Sequence, residues 1–300
     1  MFKNLMFFEI NPEWSQSAAE VEKCLQGARF VPCAATQTVS RGWVEPRGIP
    51  HGPLVESIDG QMLLKLQVES KNVPGSAIKR RVAELVKRIE DETGRKPGRR
   101  EKKELKEQAL LDLLPMAFSK VATIDVWIDP KRRLLMVGAS SQSRSDEVLT
   151  ELVRTLENFS VLKPQTQRSA QSLMADWLLS FDPPECFSIG RDCELKSSDE
   201  TKASVRYARH SLDADDVKQH IEAGKLPTKL ALTWNDRVAF HLTESAHLRK
   251  IEFLEGTMDG RGGPDEDRFD TDAAIATGEL ASVLDDLLAA LGKPEGAGEE

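Results

Sequence analysis

Between Pro74 and Pro115 the apolar residues recur at helical spacing twice over. Ile78, Val82, Leu85, Val86 and Ile89 stand three and four apart, so they share one stripe of a helix that Gly94 ends. Arg80, Arg81, Lys87 and Arg88 fall off that stripe and point to solvent. A short turn follows, Arg95-Lys96-Pro97-Gly98-Arg99-Arg100. Leu105, Ala109, Leu110, Leu113 and Leu114 then repeat the design up to Pro115. The pattern predicts a helical hairpin over residues 73–117.

Elsewhere the period is mostly two. Residues 2–10 alternate as a strand. Asn11-Pro12 reads as a helix start, with the helix running through Val21 and Leu25 to Gly27. Short strands are expected near Phe30 and over 38–44, then a Pro/Gly-rich loop over 46–53 and a strand from Gln61. Beyond the hairpin, 122–128 and 133–138 pair around Asp129-Pro130-Lys131-Arg132. Ser143 or Ser145 is expected to cap a helix reaching about Asn158. A short helix follows around 175–179. Strands are expected over 187–195, 203–209, 229–234, 238–242 and 248–254, with a helix over 213–223 stopped by Gly224. A last helix over 279–291 turns Leu280, Val283, Leu284, Leu287 and Leu288 inward, and the residues after it should fray. Runs of strands with interspersed helices predict an α+β fold built on antiparallel sheets. Four parts are expected: a central α+β unit from 1–72 and 118–165, the helical tip at 73–117, a second α+β unit over 166–256, and an acidic segment over 257–300 packing on the body.

Charge singles out the hairpin. The chain of 300 residues is acidic, at −8, yet residues 71–106 hold 13 Lys/Arg against 6 Asp/Glu, a net of +7. Residues 255–300 carry 13 acidic and 3 basic residues, most simply a solubilising face. A strongly basic patch on an acidic protein is a local field suited to anions. A second, looser group is Lys202, Arg206, Arg209, His210, Lys218, Lys225 and Lys229. Backbone phosphates ask only for cations spaced along a surface, and no helix-turn-helix, zinc-finger or RNP signature suggests base reading. Phe118, just past Pro115, admits three roles: core, base-stacking platform or oligomer contact.

Other chemistry finds little footing. Apolar content of 40% is enough for a core, but no run of about 18 apolar residues suggests a membrane span. The N-terminus lacks the small-residue cleavage site of a signal peptide. Cys24, Cys33, Cys186 and Cys193 form no CxxC pair and read as reduced thiols in a cytoplasmic protein. There is no P-loop and no GxSxG. Asp125 and Asp129 share a strand face and are the one pair to consider for a metal-dependent nuclease. Asp265, Glu266, Asp267, Asp270 and Asp272 read as a solvated acidic loop, as does the GxxGP of 260–264. No cofactor, metal or catalytic residue is expected.

KNLMFFEI, GWVEP, LLPMAFSK, the strand ending VWID, HIEAGKLPTKLALTWNDRVAF, LRKIEF and TGELASVL stand in order along the chain, and in this it resembles the RdgC family of recombination-associated proteins. The resemblance implies a horseshoe-shaped subunit. Two copies would close into a homodimeric ring around double-stranded DNA, without sequence preference and without catalysis. It implies nucleoid association and restraint of RecA-promoted strand exchange. It places Lys79, Arg80, Arg81, Arg95, Lys96, Arg99, Arg100, Lys102 and Lys103 of the tip, together with Arg209 and His210, on DNA. It places Phe118 at the contact that closes the ring. Met116 stands where the family suggests a basic residue, and His210 where it suggests an uncharged amide. The rival from another class is a module that docks an acidic protein partner through the hairpin.

Overall fold

The computed structural model describes residues 2–257 and 265–292. Its element order is β1 (Asn4–Ile10), α1 (Ala18–Gln26), β2 (Val39–Val44), β3 (Glu56–Ile58), β4 (Gln61–Lys71), α2 (Gly75–Thr93), α3 (Arg99–Leu113), β5 (Ser119–Asp129), β6 (Leu134–Val137), α4 (Gln142–Thr155), β7 (Val161–Leu162), α5 (Ala170–Ser180), β8 (Phe187–Ser197), β9 (Ser204–Tyr207), α6 (Asp215–Glu222), β10 (Lys225–Trp234), β11 (Val238–Thr243), β12 (Leu248–Phe253) and α7 (Asp265–Leu291).

The fold is mixed α and β on one 12-stranded sheet, ordered β2-β4-β5-β6-β1-β12-β11-β10-β8-β9, with β3 on β4 and β7 on β1. Among the described residues every strand ladder is antiparallel, as expected. β1 joins the two halves. Its start, Asn4 and Leu5, pairs with β12, and Met6 to Glu9 pair with β6. The two expected α+β units therefore share one continuous sheet.

Two cores lie on opposite faces of that sheet. Met6, Phe8 and Ile10 of β1 face α1 and α4, with Val21, Leu25, Val148 and Leu152. Leu5 and Phe7 face the other way, toward α5, α6 and α7. The period of two in β1 thus feeds both cores at once. The inward stripe expected of the last helix is real: Leu280, Val283, Leu284 and Leu287 of α7 are fully buried and Leu288 nearly so.

Several boundaries differ from expectation. α1 is capped by Ser17, not started at Asn11. The Ser17 hydroxyl accepts from the Glu20 amide, and Glu20 reaches back to the Ser17 amide. Asn11 instead clasps a distant turn, donating to the Asn158 carbonyl and accepting from the Ser160 amide. Residues near Phe30 make only an isolated bridge, Arg29 to Trp43. That segment crosses Gly42 so closely that a Cβ there would stand 2.3 Å from Phe30 Cα. The short strand β3 had no distinctive pattern. α4 is capped by Ser141, while Ser145 is buried inside it. Asp265, Glu266, Asp267, Asp270 and Asp272 all belong to α7, not to a loop. The GxxGP of 260–264 and the residues after 292 lie outside the described residues.

Candidate nucleic-acid interface

α2 and α3 stand on a two-stranded stalk. β4 and β5 pair without a break from Met62 opposite Ile128 to Lys71 opposite Ser119. The hairpin joins their far ends. Pro74 precedes α2 in an extended conformation, and Gly94 closes it in the left-handed region, φ 68°, donating to the Glu90 carbonyl. Glu101 organises the turn. Its carboxylate accepts from the Gly98 amide and from Arg95 at 2.9 Å, which holds the carboxyl below its usual range. The hairpin has a core of its own, separate from the two in the body. Leu85, Leu105 and Ala109 are buried, with Ile78, Val82, Val86 and Ile89 against them.

The cations divide into two groups. Arg81 ties the helices together, 2.8 Å from Asp112 on α3 and 3.1 Å from Glu84. Arg95 is engaged with Glu101, and Arg100 with Glu104 at 3.3 Å. Lys79, Arg80, Lys87, Arg88, Lys96, Arg99, Lys102, Lys103 and Lys106 are all exposed. None of them forms an ion pair among the described residues. Charge counting along the chain does not separate these groups, because a cross-helix pair such as Arg81 and Asp112 spans 31 positions.

Phe118 is not core. It is 94% exposed at the far end of the stalk, where the hairpin is rooted, and Met116 nearby is 73% exposed. Leu111 and Val121 are the other large apolar side chains exposed in this stretch. A side chain so placed costs hydration free energy unless something covers it.

Arg209 and His210 follow β9, near the other end of the sheet order. β6, β1, β12, β11, β10 and β8 separate them from the hairpin stalk. Arg209 takes a left-handed φ of 55°. Its amide donates to Asp192 Oδ1 at 2.8 Å, and the His210 amide donates to the Arg191 carbonyl. The Arg209 bond holds the Asp192 carboxyl below its usual range. The His210 ring lies 5.5 Å from Tyr207, whose hydroxyl is pushed up to about 12 by burial and by its bond to Asp216. Both side chains are exposed, but the structure does not gather them with the hairpin cations.

The paired aspartates do not make a metal site. Four residues along a strand place their Cα atoms about 13 Å apart. Asp129 is fully buried and already occupied, accepting from the Arg132 amide at 2.9 Å and the Arg132 guanidinium at 3.0 Å. It closes the β5–β6 turn. Asp125 lies 3.7 Å from Lys65, and burial pushes its carboxyl above the usual range despite that neighbour. Among the described residues, no three His, Cys, Asp or Glu side chains group as metal ligands, and no helix is long and apolar enough to cross a membrane. The four cysteines are unpaired thiols.

Comparison with known proteins adds a family. Residues 1–294 match a family described as "Putative exonuclease, RdgC". Proteins named "Recombination-associated protein RdgC" are similar over 97% of this chain. Those of Dechloromonas aromatica and a Janthinobacterium species are each 40% identical, over 97% of their own length. That of Bordetella pertussis is 36% identical over 98% of its length. The family description and the relatives' names differ on enzymatic character.

Proposed function

The chain belongs to the RdgC family of recombination-associated proteins, and from that membership and the hairpin geometry we propose that it binds double-stranded DNA without sequence preference. In this reading two copies form a ring around the duplex and thereby restrain RecA-promoted strand exchange in the nucleoid. The observation that carries it is the set of nine exposed, unpaired cations on a hairpin raised from an acidic body. Such cations displace the counterions condensed on duplex phosphates. Phe118 and Met116, exposed at the hairpin root, supply an apolar contact for a second copy. A closed ring also explains why the cations need not be numerous: topology slows dissociation even where each contact is weak.

The test is retention on circular DNA. Wild-type protein on a closed circle should resist a high-salt wash and be released when the circle is cut once. Phe118→Ser should lose that resistance while keeping its melting temperature, because the side chain is 94% exposed. Equal salt sensitivity on circular and linear DNA would overturn the ring.

The family description raises a nuclease reading, and in it Asp125 and Asp129 would be the candidate acids. The guanidinium and amide of Arg132 on Asp129 oppose it. Cleavage of plasmid DNA that needs a divalent cation and is abolished by Asp125→Asn would reinstate it.

A further inference from the structure

The start of α7 does not close fully onto the sheet. Between its first turns and the strands β4 and β5 lies a cavity of about 420 Å³, within the range of small-molecule sites. Phe2, Phe253 and Phe269 bring three phenyl rings to its lining, with Leu63 and Ala276 beside them. Gly138 lets the Phe2 ring lie close to the sheet: a Cβ there would stand 3.2 Å from Phe2 Cδ1 and 3.6 Å from Asp125 Cβ.

Two charged side chains enter this apolar lining together. Lys65 and Asp125 are partners in register across β4 and β5, and both line the cavity. Lys65 Nζ donates to the Pro46 carbonyl. It lies 3.7 Å from Asp125 Oδ1, too far for a hydrogen bond. An ammonium has three donors and a carboxylate has two accepting oxygens, so both side chains have capacity for a third group. Asp129, four residues on, differs: Arg132 meets both of its oxygens. Burial is the first cause raising the Asp125 carboxyl, and Lys65 opposes it, a combination common at ligand sites.

The polar groups exclude most ligand classes. A cation would meet Lys65. An anion would meet Asp125 and Asp272. Arg47 does not offset them, because it is held by Glu56 at 2.9 Å and by Asp270, and it lies over the Phe269 ring. A purely apolar molecule would strip water from Lys65 and Asp125 and return nothing. What remains is an uncharged planar ring. It offers an acceptor to the ammonium and donors to the carboxylate, and sets its faces against phenyl rings. Guanine carries that set along one edge. Its O6 accepts, and beside it N1–H and the N2 amino group donate in parallel, matching the two oxygens of a carboxylate.

We propose that this cavity binds a guanine base by its Watson–Crick edge, with Asp125 accepting from N1 and the N2 amino group and Lys65 donating to O6. A paired guanine has that edge occupied. The ligand is therefore a free guanine nucleoside or an unpaired guanine of a single strand, and the proposal stands apart from the duplex-binding reading.

The test is equilibrium dialysis of the full chain against guanosine, inosine and adenosine. Guanosine should bind. Inosine lacks the N2 amino group and should bind about tenfold more weakly. Adenosine carries its donor and acceptor in the reverse order and should bind at least about a hundredfold more weakly. Asp125→Asn keeps one acceptor and should weaken guanosine about tenfold. The Lys65 and Asp125 side chains are 24% and 32% exposed, so Asp125→Asn should keep the wild-type melting temperature. Displacement of guanosine by a thymine single strand carrying one guanine would identify an unpaired strand as the source of the base; retention of guanosine would identify the free nucleoside. Absence of guanosine binding at millimolar concentration would overturn the proposal. So would equal affinity for guanosine and adenosine, or wild-type guanosine affinity in Asp125→Asn. Each of these results would leave duplex binding standing.

Discussion

The hairpin and α7 are the two strongly charged helical regions of the molecule, and they treat charge in opposite ways. In α7 the acids Asp270, Glu279, Asp285 and Asp286 are bound inward to the body. Arg47 pairs with Asp270, Arg237 with Glu279, and Arg132 with Asp285, while the Trp234 indole N–H donates to Asp286 at 2.7 Å. Arg47 also stacks 4.7 Å over the Phe269 ring. These contacts seat the leucine stripe of α7 in a core shared with β1, β5 and β11. In the hairpin, most cations have no partner and the core is three buried residues. A charged helix whose charges are met by its own chain is structural. One whose charges are unmet is built to meet something else.

Truncating the α7 stripe should have the largest effect. Leu284→Ala removes a fully buried side chain and should lower global stability by about 2–5 kcal/mol, read as a fall in denaturant midpoint at unchanged slope. An unchanged midpoint would mean that α7 is not part of the cooperative fold. Next is the clamp on its flank. Arg132→Met leaves buried Asp129 without its guanidinium and frees Asp285, which should cost about 2–4 kcal/mol. Adding Asp129→Asn should restore part of that loss, because the amide oxygen still accepts the backbone bond.

The seat of α7 also predicts a pH response. His247 lines a cavity with Leu288 and Leu291 at the end of α7. Burial, with help from Arg249 and Lys163, lowers its pKa to about 4. The unfolded chain therefore takes up a proton below pH 6.5 that the folded chain refuses until about 4. The contribution of this site is full above pH 6.5 and should fall by about 1–3 kcal/mol on acidification to pH 4. His247→Gln should shed that part of the pH dependence in thermal melts.

The smallest global effect belongs to the hairpin. Leu105→Ala should open α2 and α3 locally, since their core touches neither of the others. Amide exchange should rise throughout the hairpin while β1 and β12 keep wild-type protection, and the global midpoint should move by less than about 1 kcal/mol. Equal loss of protection in both places would mean that the hairpin and body fold as one.

Much of this contrast is legible in the sequence, because it follows from local periods. The spacing of Ile78 to Ile89 marks the inward side of α2, and Leu280 to Leu288 mark that of α7. The alternation over 238–242 marks a strand packed on one face. What stays hidden depends on contacts distant in sequence. The Pro after Asn11 looks like a helix start, yet Asn11 is used by a turn 147 positions away. The acidic stretch at the start of α7 reads as loop until Arg47 is seen against Asp270. The same holds for the candidate interface: the hairpin cations are visible as a run, but Arg81 and Arg95 look identical to Lys96 and Arg99 until their partners are placed.

The most direct measurement is duplex binding by wild type beside a variant carrying Glu at Arg95, Lys96, Arg99 and Arg100, across a salt series. The hairpin reading predicts that wild-type affinity falls along a straight log–log line with salt, at about −0.9 per phosphate contact. The reversal should flatten that line and weaken binding at low salt; it also breaks the Arg95–Glu101 and Arg100–Glu104 pairs, so the turn loosens locally while global melting, governed by the separate cores of the body, moves little. Wild-type affinity and slope in the reversed hairpin would contradict it, and would return the unmet charges of the hairpin to the role of a protein-docking surface.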